Sequence, residues 1–138
     1  MPHHIKLVET ILYIASQEES TRFYSKLLRR TPDLNVPGMT EFQLTDSFKL
    51  GLMPNDGIAK ILKDKTPHPA TGTGIPRCEL YLYVDDIQVE YDNAILTGAT
   101  PISPIEERNW GDTVCYFADP DGHVVAFAES SPQFKASL

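Results

Sequence analysis

The sequence predicts an α+β fold in which one unit, a strand followed by a helix and then further strands, occurs twice. Three observations carry that expectation. Residues 9–16 and 79–86 align at an offset of 70, matching Glu9 to Glu79, Leu12 to Leu82, Tyr13 to Tyr83 and Ile14 to Val84, and a self-similarity of this kind marks repeated supersecondary units. Both segments are rich in β-branched and aromatic residues, as strands are. Each is followed by a good helix N-cap, Ser16 or Asp86, and each half then ends in short β-type runs.

Taken in order, the first strand leads to Ser16, which with Glu19 has the spacing of a capping box. Phe23 and Leu27, with Tyr24 and Leu28, recur at i, i+4 and form one apolar stripe, so a helix is expected up to the break at Pro32. Residues 40–45 and 48–53 read as strands. The stretch from Pro54 to Arg77 contains Asn55-Asp56-Gly57, Pro67-His68-Pro69 and Gly72-Thr73-Gly74 and reads as a long irregular link. No Lys-Ser/Thr follows Gly72-Thr73-Gly74, so it is a flexible connection rather than a phosphate cradle. After the second strand, Asp86 opens a helix with Val89, Ala94 and Ile95 on its buried face, stopped by Gly98. Residues 113–118 and 123–129 are the closing strands, joined through Asp119-Pro120-Asp121-Gly122, in which Pro presets φ and Gly accepts a positive one.

Size and composition bound the rest. The chain has 138 residues, 41% of them apolar, and a net charge of −7; it is one domain by length, with module one at 6–54, the link at 55–76 and module two at 77–130. The charge is uneven: residues 1–69 carry nine Lys+Arg against eight Asp+Glu, and residues 70–138 three against eleven. An acidic balance argues against nucleic acid, whose affinity comes from Lys and Arg neutralising phosphates. The longest apolar runs, 11–15 and 124–128, are far short of the about 20 residues of a membrane span. The first six residues lack the basic start and apolar stretch of a secretory signal, and Cys78 and Cys115 are too few for a disulfide framework, so a cytoplasmic protein is expected.

Phe23-Tyr24 with Leu27-Leu28, Val84-Asp85-Asp86-Ile87, Trp110-Gly111-Asp112 and Asp119-Pro120-Asp121-Gly122-His123 together resemble the vicinal oxygen chelate superfamily of glyoxalase I, bleomycin-resistance proteins and extradiol dioxygenases. The resemblance runs from about residue 6 to residue 129. It implies two βαβββ modules forming a cup-shaped, eight-stranded mixed sheet, commonly in a homodimer, and leaves the activity open. The metal enzymes of that superfamily place ligands near the start of each module's first strand and on its last strand. Carried to this sequence, those positions are Glu9, Glu79, Gly51 and Ala126, and the last two have no donor atom. A transition-metal site needs three or four donors with imidazole or thiolate well represented. His3 and His4 are terminal, His68 sits in the link and His123 at a turn, so no metal ligands are assigned and an atypical divalent metal is the only metal reading left.

Alternation along the strands puts Glu9, Ile11 and Tyr13 on one face and Glu79, Tyr81 and Tyr83 on the corresponding face of the repeat. Lys49, Gly51, Met53, Ala126 and Trp110 complete the expected pocket lining. Glu9 and Glu79 have two readings: solvated or salt-bridged carboxylates, paired with Lys49, Arg77 or Arg108, or a partly desolvated pair in which one pKa rises and a general base or cation acceptor results. Cys78 and Cys115 read as strand thiols, and Asp119 and Asp121 as a turn rather than a calcium loop, which lacks its later Glu. Trp110 is placed at the rim, against a ligand. The first functional expectation is a metal-independent binder of an aromatic or cationic small molecule. The alternatives are a glyoxalase-type lyase or isomerase, or a dioxygenase-like enzyme, using Glu9 or Glu79 as base or ligand, and a scaffold with a vestigial cup.

Overall fold

The structure is a computed structural model that describes residues 4–130; His3 lies outside the described residues. The chain divides into two compact units, one within residues 1–73 and the other within 74–138. Each is built on a four-stranded mixed sheet, so the expected α+β repeat is what the chain forms.

In the first unit β1 (Val8–Ile14) leads into α1 (Gln17–Leu28), then β2 (Leu34–Val36), β3 (Met39–Thr45) and β4 (Phe48–Pro54). The strand order is β1-β4-β3-β2, with β1 parallel to β4 and the other pairs antiparallel. Ser16 accepts from the Glu19 amide at 3.1 Å, which fixes the start of α1. Phe23, Tyr24 and Leu27 of α1 are buried with Leu12, Ile14, Phe42, Leu50 and Leu52 of the strands. That leaves the other sheet face, carrying Glu9, Ile11, Tyr13, Glu41, Lys49, Gly51 and Met53, without the helix.

The second unit repeats the plan with β5 (Glu79–Tyr83), α3 (Ile87–Thr97), β6 (Thr100–Glu107), β7 (Asp112–Ala118) and β8 (Val124–Ser130), ordered β5-β8-β7-β6. Asp86 accepts from the amides of Gln88 and Val89, and Gly98 ends α3 at φ 95°. Leu80, Ile87, Ala94, Cys115, Phe117, Val125 and Phe127 are buried, and Phe117 packs against both Tyr91 and Phe127, with ring centroids 5.1 and 6.4 Å apart. The expected apolar face of this helix is corrected: Val89 and Ile95 are exposed and Ile87 takes their place with Ala94. Tyr91, three and four residues from those two, supplies the bulk that the stripe lacked.

Three further differences from expectation have physical causes. The link is not irregular at its start, because residues Asn55–Leu62 form α2, followed by single 3-10 turns at Lys63–Lys65 and Pro69–Gly72. Asn55-Asp56-Gly57 reads locally as a turn, but Ile58 is buried against the sheet, and tertiary burial outweighs the about 1 kcal/mol helix penalty of Gly57. β6 is absent from the sequence reading because Pro101 and Pro104 argue against a strand; it lies at the end of the strand order, where proline is tolerated. Cys78 is exposed rather than strand-buried, whereas Cys115 is fully buried, its thiol pushed up to about 11 by burial.

The Asp119–Gly122 turn forms as expected. Asp119 Oδ1 accepts from the amides of Asp121 and His123 at 2.8 and 2.9 Å, and Gly122 has φ 87°. Gly122 is required twice over, since a Cβ there would stand 2.9 Å from the Cα of Gly74, whose amide donates to Asp121 O.

Candidate functional site

Both helix-free faces carry polar side chains, and both are arranged by strand register. Paired residues on neighbouring strands share a face and lie about 5 Å apart.

In the first unit Ile11 of β1 is opposite Gly51 of β4, and Gly51 is opposite Glu41 of β3. Gly51 therefore sits in the middle of the face with no side chain. Glu9 fills that space: a Cβ at position 51 would stand 2.5 Å from Glu9 Oε2. By this route Glu9 comes close enough to Glu41 for the two carboxyl groups to act on each other, while Lys49 Nζ donates to Glu41 Oε1 at 3.1 Å. Burial first, and then the neighbouring Glu41 carboxyl, push the Glu9 carboxyl above the ordinary carboxylate range, against the smaller pull of Lys49. Its Oε2 is buried and accepts no hydrogen bond. Tyr13 and Met53 face each other farther along the same strands and are half-buried.

In the second unit the central strand β8 carries Ala126 and Ala128, opposite Tyr81 and Tyr83 of β5 on one side and Tyr116 and Val114 of β7 on the other. Ala126, Ala128 and Val114 form a buried floor on which Tyr81 and Tyr116 pack. Because the floor is low, both β5 phenols extend across it to the carboxylate of Asp112. Tyr81 donates to Oδ2 at 2.6 Å and Tyr83 to the same atom at 2.9 Å. Trp110 Nε1 donates in turn to the Tyr81 oxygen at 3.0 Å. Asp112 is only 5% exposed, whereas Tyr83 and Trp110 are 50% and 52% exposed.

A tight turn sets Trp110 and Asp112 two residues apart, with Arg108 N donating to Asp112 O and Gly111 at φ 98°. Burial raises the Tyr81 phenol, with Asp112 adding to it, and the bond to Asp112 is the main cause for Tyr83. The Arg108 guanidinium lies 5.4 Å from the centroid of Tyr116, donates to Ser103 Oγ at 2.8 Å and approaches Glu106 at 3.5 Å.

Of the residues expected from sequence, the structure thus joins Glu9, Lys49 and Gly51 in one cluster and Tyr81, Tyr83, Trp110 and Ala126 in another. Glu79 joins neither hydrogen-bond cluster; it is exposed, close enough for its charge to help raise the Tyr116 phenol. Three participants escaped the sequence reading. Glu41 is legible in retrospect from the alternation of buried Thr40 and Phe42 around it; Asp112 and Tyr116 have no such local signal, because their roles depend on β5 lying two strands away. An open groove of about 610 Å³ between α1 and β2, lined by Gln17, Thr21, Arg22 and Asn35, contains none of these groups.

The family described as a glyoxalase-like domain matches residues 7–131. The chain belongs to that family. Uncharacterized proteins of Mycobacterium bovis and Mycobacterium tuberculosis are 32% identical to it over 72 residues, 52% of this chain and 47% and 42% of theirs, so the match spans a little under half the length of these relatives. A glyoxalase-related enzyme from Fulvimarina pelagi has the same fold with a TM-score of 0.76 and 21% identity, covering 90% of this chain and 87% of that one. A glyoxalase/bleomycin resistance protein/dioxygenase from Nocardioides scores 0.75 at 19% identity, covering 96% and 87%. A protein of Agrobacterium tumefaciens solved in solution is 27% identical, with a TM-score of 0.71 and coverage of 95% and 99%. The vicinal oxygen chelate resemblance is therefore correct at the level of family and fold.

The residues of this glyoxalase-like protein do not fit the four-ligand metal set of its superfamily. The space above Gly51 holds Glu9 Oε2, Ala126 is a fully buried methyl group beneath tyrosines, and among the described residues no three His, Cys, Asp or Glu side chains gather to hold an ion. No helix among them is long and apolar enough to cross a membrane.

Proposed function

We propose that the protein binds a small aromatic or cationic molecule without a family-type metal ion, on the tyrosine- and tryptophan-bearing face of its second unit. The observation that carries this reading is the buried Asp112 carboxylate, held by the hydroxyls of Tyr81 and Tyr83 next to the exposed Tyr83 and Trp110 side chains. A buried negative charge under aromatic surface attracts cations through its field and through the ring quadrupoles. The uneven charge of the sequence acts in the same sense, and Glu79 contributes at the margin. The reading includes a cytoplasmic homodimer, the dimer being checked by sedimentation.

The test is calorimetric titration with 1-methylquinolinium and with neutral quinoline at pH 7.5. Tighter binding of the cation, lost in Asp112→Asn, supports the reading; equal affinity for the two, or binding of neither, removes it.

A second reading has its own support in the first unit. Glu9, with a raised pKa and an unpartnered oxygen, has the properties of a general base that removes a proton α to a carbonyl and returns it to the neighbouring carbon, the net change being an isomerisation. Lys49, at 3.1 Å from Glu41, is the nearby cation for an oxyanion. Glu79 is exposed and less suited to that task. Turnover of the hemithioacetal of methylglyoxal and glutathione, abolished in Glu9→Gln, is the expected outcome if this reading holds.

A further inference from the structure

Resting on the reading that the second unit's aromatic face takes a cation, we propose that Asp112 Oδ1 is the acceptor for it. The face then recognises an aromatic amine in its ammonium form, with at least one N–H on the charged nitrogen. The two oxygens of this carboxylate have different surroundings. Oδ2 accepts from Tyr81 and Tyr83 at 2.6 and 2.9 Å. Oδ1 accepts no hydrogen bond from the described residues and keeps access to solvent. Asp112 as a whole is 5% exposed, so its open oxygen sits in a largely desolvated place, where an unmade bond is costly and a charge-assisted one is strong. Arg108, four residues earlier, donates its backbone amide to Asp112 O at 2.8 Å, but its guanidinium donates to Ser103 Oγ at 2.8 Å and approaches Glu106 at 3.5 Å. None of the described Lys, Arg or His side chains pairs with the Asp112 carboxylate.

The acceptor is set in place before any ligand arrives. Two phenol bonds from β5 hold Oδ2, and Trp110 Nε1 holds Tyr81 in turn at 3.0 Å. A carboxylate fixed in this way loses little freedom when its second oxygen is engaged. Exposed aromatic surface adjoins it: the Tyr83 hydroxyl binds the same carboxylate, and Trp110 stands two residues away in the turn. Both supply ring contacts for the aromatic part of the ligand. Two other carboxylates share the sheet face. Glu79 lies four residues before Tyr83 on β5, about 13 Å along the strand, and Glu106 already has Arg108 beside it. Both are exposed, and an ion pair made in water is worth little. Asp112 differs from them in being buried, anchored and half-used.

The test is an NMR titration at pH 7 with benzylammonium, benzyldimethylammonium and benzyltrimethylammonium, which share ring and charge. The last methylation removes the last N–H. The chain has one tryptophan, so the Trp110 indole N–H gives a single reporter resonance. Benzyldimethylammonium is expected to bind about tenfold more tightly than benzyltrimethylammonium, the equivalent of about 1.4 kcal/mol. Asp112→Asn, whose amide oxygen can still serve the phenols while its NH2 cannot accept, is expected to bring that ratio to about one. Glu79→Gln and Glu106→Gln are expected to keep it. In the wild type, with no variant needed, the Asp112 carboxyl carbon resonance is expected to move with benzyldimethylammonium and to stay in place with benzyltrimethylammonium. Equal affinities of these two ions for the wild type, a still carboxyl resonance, or a ratio lost in Glu79→Gln or Glu106→Gln but kept in Asp112→Asn, overturns the role of Oδ1 and leaves cation binding standing. Failure of all three ions to bind overturns that role and the underlying reading together.

Discussion

In the first unit the outermost strand β1 sends Glu9 over Gly51 to Glu41; in the second, the outermost strand β5 sends Tyr81 and Tyr83 over Ala126 and Ala128 to Asp112. The positions correspond, since Gly51 faces Ile11 as Ala126 faces Tyr81. A small residue on the central strand makes both crossings possible. The chemistry that results is opposite. Two carboxyls meeting across glycine cannot both ionise comfortably, so Glu9 holds its proton more tightly and keeps a buried oxygen unpartnered. Two phenols meeting one carboxylate both donate to its Oδ2, which offsets part of the cost of burying it. One sheet stores a group poised to exchange a proton, and the other a buried carboxyl group bonded by two phenols.

That contrast yields predictions of graded size. Asp112→Ala removes the shared acceptor of two phenols and is expected to destabilise the protein by about 2–3 kcal/mol, measured by urea denaturation. A loss below about 0.5 kcal/mol would mean that the two phenol bonds to Asp112 contribute little to holding the second cluster together. Ala126→Leu drives a larger side chain into a fully buried floor and is expected to cost about 1–3 kcal/mol, with the Trp110 indole resonance shifting as Tyr81 is displaced. Tyr83→Phe deletes one hydrogen bond from a half-exposed ring, for a loss of about 1 kcal/mol in the same denaturation assay.

In the first unit the sign reverses. The folded chain binds the Glu9 proton more tightly than the unfolded chain does, so stability falls as pH rises from the ordinary carboxylate value of 4.5 through the higher folded one. Glu9→Gln, which cannot ionise, is expected to melt above the wild type at pH 7.5, with the gain vanishing below about pH 4. A variant that melts lower than wild type at neutral pH would show that the Glu9 charge is stabilising, and the contrast between the sheets would fail. The smallest expected effect on stability is that of Gly51→Ala, because the colliding atom is the end of a flexible side chain. Its readout is the Glu9 titration followed by NMR, which is expected to fall back toward the ordinary range as Glu9 turns away from Glu41.

The repeat at an offset of 70, the caps at Ser16, Asp86 and Gly98, and the Asp119–Gly122 turn are local patterns, and each of them is present in the folded chain. Strand alternation likewise assigned Glu9, Tyr81 and Tyr83 to the helix-free faces, because side-chain direction in a strand follows from position alone. Pairing across strands is not local. Which carboxylate Glu9 meets depends on the register of β3 against β4, which shifts between Gln43 and Thr45, and Asp112 becomes the acceptor for Tyr81 only when β8 separates β5 from β7. The amphipathic α2 also emerged from tertiary burial, against the local signal of Asn55-Asp56-Gly57. The sequence by itself determined most of the elements, the faces of the strands it identified and the small residues at the centre of each sheet. Tertiary structure alone decided which charges stand together, because electrostatic and hydrogen-bond partners are set by distances between strands far apart in the chain.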